Sequence, residues 1–325
     1  MNILVTGGAG FLGQRLVRRL LAGGPLRDRQ GQIRPIERLV VTDVVPPPDF
    51  GDPRVRTVVG DFADPALLDR LVDPDTRSVF HLAAVVSAQA EADFDLGMRV
   101  NVDALRRLLE RLRALGRVPK VLFTSSVAVY GGPLPEVVQD TTALCPQSSY
   151  GAEKAIGELL VNDFSRRGFI DGRVLRLPTI SVRPGKPNKA ASSFASGIIR
   201  EPLDGQPSVC PVAPDLRLWL LSPRRAVEAL VVGHDLPAEI FQGSRTVNLP
   251  GLSVTVAEML AALARVAGAG TAARVSFAPD PAIERIVASW PGAWNTALAL
   301  AMGFEADPDF DTMIRSYLDQ ERNRA

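Results

Sequence analysis

Through the first 180 residues, short runs of β-branched and other apolar residues alternate with longer stretches in which apolar positions recur every three or four residues. A short apolar run bounded by turn residues reads as a strand covered on both faces, and the longer repeat reads as a helix with one buried stripe. The predicted strands are Asn2–Thr6, Arg38–Thr42, Val55–Val59, Ser78–Leu82, Lys120–Thr124 and Arg173–Leu177. The predicted helices are Phe11–Leu21, Pro65–Leu71, Leu96–Leu115 and Tyr150–Arg166. In the third of these, Leu105, Leu108, Leu109, Leu112 and Leu115 share one face, while Arg106, Arg107, Glu110, Arg111 and Arg113 fill the other. This alternation predicts an α/β fold, a Rossmann-type doubly wound parallel sheet with helices on both sides.

From Pro178 onward, prolines, glycines and serines break the rhythm, and helices such as Val256–Val266 and Phe310–Leu318 stand between irregular stretches. The expected division is a dinucleotide-binding domain over 1–177 and a smaller substrate-binding region over 178–325, with segments free to cross between them. Ligands of such sheets bind beyond the carboxyl ends of the strands, where a loop-rich second region would complete the site. The polar stretch from Gly23 to Pro35 reads as an inserted surface loop.

Directly after the first strand comes Gly7-Gly8-Ala9-Gly10-Phe11-Leu12-Gly13, which opens into a helix. Glycines there permit a tight turn and bring backbone N–H groups close to a pyrophosphate, whose charge the helix N-terminus favours. The second strand ends at Asp43, an acceptor for ribose hydroxyls that would repel a 2′-phosphate, so NAD is expected over NADP. Asp61 follows the third strand and is read either as an adenine contact, with Phe62 beside it, or as the N-cap of the Pro65 helix. The fourth strand runs into Leu82-Ala83-Ala84, small residues where the chain passes beneath a dinucleotide. His81, next to them, reads as a packed histidine, and His234 lies in a Gly-His-Asp loop with no partner evident.

Tyr150-Gly151-Ala152-Glu153-Lys154 opens a helix, and the four-residue step puts phenol and ammonium on one face. Lowering a phenol pKa by about 3 units takes roughly 4 kcal/mol. One ammonium at about 4 Å supplies a term of that order at an effective dielectric near 20, so an ionised Tyr150 acting as a base is expected. The strand before this helix ends in Thr124-Ser125-Ser126, and the Ser126 hydroxyl could hold a substrate oxygen while the tyrosinate takes its proton. Asn101 reads either as a stiffener of this site or as a helix-surface residue.

Charge and composition narrow the field. Lys and Arg total 37 against 36 Asp and Glu, which argues against a nucleic-acid or anionic-membrane partner. Aromatics at 6% make a base-stacking platform improbable. Two cysteines, Cys145 and Cys210, form neither a metal-ligand spacing nor a disulfide framework, so no metal is expected and a reducing cytoplasm is the simplest location. The N-terminus lacks a basic leader, and no apolar run approaches the roughly 18 residues of a membrane span.

The glycine turn, His81-Leu82-Ala83-Ala84, the run Thr124 to Gly131 and the Tyr150/Lys154 pair together resemble the extended short-chain dehydrogenase/reductase family, the group of UDP-galactose 4-epimerase. The resemblance implies Ser126 and Tyr150 as the catalytic pair, Lys154 on the nicotinamide ribose, Pro178 among the cofactor contacts and often a homodimer packed through two long helices. Where sugar-nucleotide members carry an Arg-Tyr-Phe-Asn type segment, this chain reads Arg176-Leu177-Pro178-Thr179, and Ser126 is followed by Val127-Ala128 and not by an Asp-Glu pair. The continuation from Ser181 to Phe194 resembles a dehydrogenase of the family that oxidises the C2 hydroxyl of a four-carbon sugar acid. That likeness implies a substrate pocket lined by Ser87, Thr179, Asn188, Lys189 and Ser193.

Residues 181 to 200 hold Arg183, Lys186, Lys189 and Arg200 and no acidic residue, which suits an anion and equally suits a solvated surface. Arg217 is a second candidate clamp for a carboxylate. The leading expectation is NAD-dependent oxidation of a small hydroxy acid. A nucleotide-sugar epimerase with tightly held NAD and a dinucleotide-sensing regulator without catalysis are the alternatives.

Overall fold

The computed structural model describes residues 1–185, 190–241 and 243–322. Seven parallel strands form the central sheet: β1 (Asn2–Thr6), β2 (Arg38–Asp43), β3 (Val55–Val59), β4 (Thr76–His81), β5 (Lys120–Ser126), β6 (Asp171–Leu177) and β7 (Thr246–Asn248), in the order β7-β6-β5-β4-β1-β2-β3. The order reverses between β1 and β4, and the crevice beyond their carboxyl ends is where a doubly wound sheet takes its ligand. In register, Thr6 lies between Thr42 and His81, and Ser126 lies beside Leu177. All six predicted strands and the Rossmann-type α/β architecture are present. β7 escapes a reading of periodicity because three residues are too few to alternate.

Both faces of the sheet are covered by the apolar stripes of flanking helices, α1 (Phe11–Ala22), α2 (Pro65–Leu71), α3 (Ala104–Ala114) and α4 (Ser149–Arg166) from the first half and, after α5 (Phe194–Leu203), α6 (Pro223–Asp235) from the second, while α5 packs instead with α7 (Val256–Ala267) and α8 (Phe310–Arg322). Leu16, Val17 and Leu20 of α1 pack on one side with Ile3, Leu39 and Phe80, and on the other side Leu105, Leu108, Leu109 and Leu112 of α3 meet Leu4, Val79 and Val121. α6 also packs on the first of these faces, through Ala226, Val227 and Leu230. A separate core joins Phe194, Ile198, Met259, Leu263, Phe310 and Tyr317. A three-stranded sheet of Thr179–Ile180, Arg217–Leu221 and Leu252–Thr255 stands beside this core.

Three expectations are corrected. The single helix predicted over Leu96–Leu115 is interrupted by a π-helical stretch, Met98–Asp103, in which the buried Asn101 turns inward and bonds to the Val85 backbone. The Gly23–Pro35 loop contains a short hairpin, Leu26–Arg27 with Ile33–Arg34, anchored by the Arg27 N–H donating to Asp235 and by Lys120 donating to the Arg27 carbonyl. His234 lies in the last turn of α6 and not in a loop. It is fully buried, with Nε2 2.9 Å from Ser78 Oγ and Nδ1 2.8 Å from Asp235 Oδ1. Among the described residues, no helix is long and apolar enough to cross a membrane.

Candidate active site

A cavity of about 550 Å³ opens at the reversal point of the sheet. One end is lined by Gly7, Gly10, Phe11, Leu12, Gly13, Asp43, Asp61, Phe62, Leu82, Ala83 and Ala84, as the sequence predicts. Gly7 has φ +73°, and a Cβ there would stand 2.7 Å from the Ala83 nitrogen. A Cβ on Gly13 would stand 2.1 Å from the Gly7 carbonyl oxygen. Backbone thus fills the space that side chains would need, and the first turn of α1, whose N–H groups have no partner within the helix, faces the cavity through Phe11 and Leu12. A diphosphate fits such a cradle of amides.

Asp43 closes this end. Its Oδ2 accepts from the Ala9 N–H at 2.9 Å and its Oδ1 from the Val44 N–H at 2.7 Å, so the carboxylate is fixed against the glycine turn. Asp61 accepts from the Ala63 N–H and pairs with Arg99, another residue of the cavity wall. The N-cap reading of Asp61 is overturned, because Asp64 caps α2 by accepting from the Ala66 N–H.

At the other end of the same cavity stand Ser126, Tyr150, Lys154, Pro178 and Thr179. Ser148 caps α4 by accepting from the Gly151 N–H, which sets Tyr150 in the first turn. A Cβ on Gly151 would stand 2.1 Å from the Ala128 carbonyl oxygen, so glycine there lets α4 press against the chain just after Ser126. The Ser126 side chain lies close enough to the Tyr150 hydroxyl to pull its pKa downward. Lys154 donates to the Thr124 carbonyl at 2.9 Å and lies 5.6 Å from the Tyr150 ring centre.

The electrostatics differ from expectation. Burial of the hydroxyl end pushes the Tyr150 phenol up to about 12, against the opposing pull of Ser126 and Arg183, and burial brings Lys154 down to about 8. Desolvation exceeds the opposing pull of these neighbours, so the phenol of the protein alone is protonated at neutral pH. A bound dinucleotide would add the positive charge of its oxidised ring at this point.

Other predicted positions separate. Ser87 lines the cavity, buried, and its hydroxyl oxygen accepts from the Ala191 N–H. Asn101 is not among the lining residues and stands behind the wall, where its amide bonds both polar groups of Val85, a lining residue, and donates to Glu153. Arg217 is displaced altogether. It opposes Thr255 across an antiparallel pair, and its exposed guanidinium reaches Ser253 and Glu258. Among the described residues, the cavity wall includes neither Arg217 nor Ser193, which ends the short turn before α5. Asn188 and Lys189 lie outside the described residues. Among the described residues, no group of three or more histidine, cysteine, aspartate or glutamate side chains could hold a metal ion. His81 is a packed residue, 1% exposed, with Nδ1 2.8 Å from Thr6 Oγ1.

Sequence reasoning passed over Arg183 and Trp290 as individual site residues, and both line the cavity. Arg183 was one charge in a basic run, and only its fold-back beside Tyr150 distinguishes it.

Residues 3–222 match the family model described as the NAD dependent epimerase/dehydratase family. A D-erythronate dehydrogenase of Cupriavidus necator is 64% identical, covering 98% of both chains. Another of Haemophilus influenzae is 47% identical over 99% of this chain and all of that one. Among solved structures, a nucleoside-diphosphate-sugar epimerase from Agrobacterium tumefaciens superposes with a TM-score of 0.93 at 40% identity, covering all of this chain and 95% of the other. With the glycine cradle and the Ser126, Tyr150 and Lys154 cluster on one cavity, and with the match spanning most of its length, the chain belongs to the NAD dependent epimerase/dehydratase family, within the extended short-chain dehydrogenases that its motifs resemble.

Proposed function

We propose that this protein is an NAD-dependent dehydrogenase that oxidises the C2 hydroxyl of a small sugar acid of the D-erythronate type to the 2-oxo acid. The carrying observation is that one continuous cavity joins the diphosphate cradle at Gly7 to Gly13 with the hydroxyl cluster of Ser126 and Tyr150. The substrate class is supported by the names of the two full-length relatives at 64% and 47% identity. In this reading residues 1–177 hold the dinucleotide and residues 178–325 supply most of the substrate side.

Each residue has a task that its position supports. Ser126 orients the C2 hydroxyl, and Tyr150, once ionised, takes its proton. Lys154 holds a positive charge beneath the phenol and offers a donor to the nicotinamide ribose. A bound dinucleotide would supply the hydride acceptor for C2, and with Tyr150 taking the hydroxyl proton one C–H and one O–H bond would break, a carbonyl would form and one proton would be released. Asp43, fixed at the end of β2, favours a free ribose 2′-hydroxyl over a phosphate and hence NAD over NADP.

Purified protein incubated with NAD and D-erythronate is expected to produce NADH. Tyr150→Phe is expected to lose about 10²- to 10⁴-fold in kcat, the usual worth of a general base, while retaining NAD binding. The same cluster would serve an epimerase, the activity named for the Agrobacterium structure. Epimerisation of a UDP-sugar with no NADH from any 2-hydroxy acid would overturn the dehydrogenase reading. Full cellular function in the Tyr150→Phe variant would point to a sensor.

A further inference from the structure

Glu153 stands beside Lys154 on α4, 1% exposed, and is not among the described residues that line the cavity. Its Oε2 accepts from Asn101 Nδ2 at 2.6 Å, and among the described residues its Oε1 has no hydrogen-bond partner. A Cβ on Gly97 would stand 2.2 Å from Oε1, so the glycine leaves the space that this carboxyl fills. Burial pushes the Glu153 carboxyl up from its ordinary value, against the opposing pull of Asn101 and Lys154. Burying an acid with one oxygen unpaired costs stability, so packing alone does not account for an acid at this position.

Asn101 gives the rest of its amide to a single residue. Its Oδ1 accepts from the Val85 N–H at 2.8 Å, and its Nδ2 donates to the Val85 carbonyl at 2.9 Å. Residues 82 to 86 have left β4 and belong to no strand or helix, so the Asn101 amide takes the place of the neighbouring backbone that Val85 lacks. The π-helical stretch Met98–Asp103 brings Asn101 to this position. A carboxylate accepts and cannot donate, so Glu153 fixes which end of the amide meets each polar group of Val85. Ala84, Val85 and Val86 line the cavity, as do Tyr150 and Lys154. The contacts from α4 through Glu153 and Asn101 to Val85 therefore join the helix that holds phenol and ammonium to the wall that a dinucleotide would lie against.

We infer that Glu153 is a positioning residue that, through Asn101, holds the wall from Ala84 to Val86 at a fixed separation from Tyr150 and Lys154. The use of that separation rests on the dehydrogenase reading above. There the phenol must reach a hydroxyl oxygen while the hydride acceptor reaches the carbon bonded to it, and both distances are set by how helix and wall are spaced.

The test compares wild type with Glu153→Gln, Glu153→Leu, Asn101→Ala and the double variant Glu153→Leu/Asn101→Ala. Hydrogen exchange of the Val85 amide, read by mass spectrometry on the protein without ligand, should be roughly 10-fold faster or more in Glu153→Leu and in Asn101→Ala. Glutamine still offers an oxygen to Asn101 and should recover most of the protection. The double variant should exchange no faster than Asn101→Ala, because both changes break one chain of contacts. In oxidation of D-erythronate, Glu153→Leu should lose on the order of 10- to 100-fold in kcat with KM changed by less than about twofold, and glutamine should restore most of it. Fluorescence titration with NADH shows that each variant is folded, and Asn101→Ala carries the same contrast where leucine prevents folding. Wild-type exchange in Glu153→Leu or in Asn101→Ala would overturn the proposal, as would additive losses in the double variant. Glutamine as impaired as leucine would also overturn it, by assigning Glu153 an effect of charge on Lys154. The exchange measurement needs no substrate, so a wild type that makes no NADH from D-erythronate while Val85 responds as expected would sink the dehydrogenase reading alone.

Discussion

Glu158 and Arg176 meet in a two-point ion pair beneath the catalytic cluster, Nη2 to Oε2 at 2.6 Å and Nε to Oε1 at 2.8 Å, with side chains only 3% and 9% exposed. Glu158 stands one helical turn beyond Lys154 on α4 and also accepts from Ser125, the neighbour of Ser126. Arg176, on β6 just before Leu177 and Pro178, donates onward to the Tyr130 hydroxyl. The pair therefore fastens the helix carrying Tyr150 and Lys154 to the two strands that end at Ser126 and Leu177.

Glu158→Gln leaves a buried guanidinium without its counter-charge, and about 3–5 kcal/mol of stability should be lost. Replacing both partners with methionine should cost less than the single change, since no stranded charge remains. Urea unfolding of the three proteins checks this. A Glu158→Gln variant within about 1 kcal/mol of wild type would show that the pair is solvated in solution and does not fasten the site.

At Asp43 charge and architecture can be separated. Asparagine keeps an oxygen to accept from the Ala9 N–H, so the glycine turn should survive, while the repulsion against a 2′-phosphate disappears. Asp43→Asn should therefore improve kcat/KM for NADP relative to NAD by roughly 10-fold or more, equivalent to about 1.4 kcal/mol. Asp43→Ala should weaken both cofactors, because the Ala9 and Val44 amides lose their acceptor. Unchanged cofactor preference in Asp43→Asn would remove this residue from the discrimination.

The parts of the site legible in the sequence are those set by local chain geometry. Gly7 to Gly13 between a strand and a helix, and Tyr150 four residues before Lys154, need only an element boundary to be read, and both ends of the cavity follow. Arg183 and Arg217 show where that reasoning stops. One is a charge within a basic run and the other opens a short apolar strand, and nothing periodic tells which one folds inward. The strand register, Arg217 opposite Thr255, turns one toward Glu258, and the return of the chain through Ser192 and Ser196 turns the other toward Tyr150. Asn101 shows a different limit: its place in sequence could be read, but only the π-helical turn reveals that its amide is directed to Val85 and Glu153.

The pH dependence of turnover should reflect the position of Tyr150. A phenol raised to about 12 by burial must be lowered by nearby positive charge before it can serve as a base. Removing one such charge by Lys154→Met should move the acid limb of kcat/KM for oxidation to higher pH, so that the variant recovers activity as hydroxide rises. Arg183→Gln removes the positive charge that opposes the rise of the phenol and should move the limb the same way. Steady-state profiles between neutral and strongly alkaline pH report the shift. A limb that stays in place in Lys154→Met would mean that the ammonium serves ribose binding and not the ionisation of Tyr150.

Acid stability should be governed by two buried histidines far from one another in sequence. His81 and His234 are held neutral by burial, with pKa values brought down to about 3 and about 4 from an ordinary 6.5. Below 6.5 the unfolded chain takes up protons that the folded protein does not, so stability rises with pH across this window and falls on acidification from about 6.5 toward 4 and 3. At pH near 4 each histidine should cost on the order of 3 kcal/mol relative to neutral pH. Replacing His234 with glutamine keeps a donor toward Asp235 and an acceptor toward Ser78 without the titration, and should flatten the slope of unfolding free energy against pH by about half. Urea unfolding at a series of pH values measures both slopes. An unchanged slope in His234→Gln would show that this histidine does not set the acid lability.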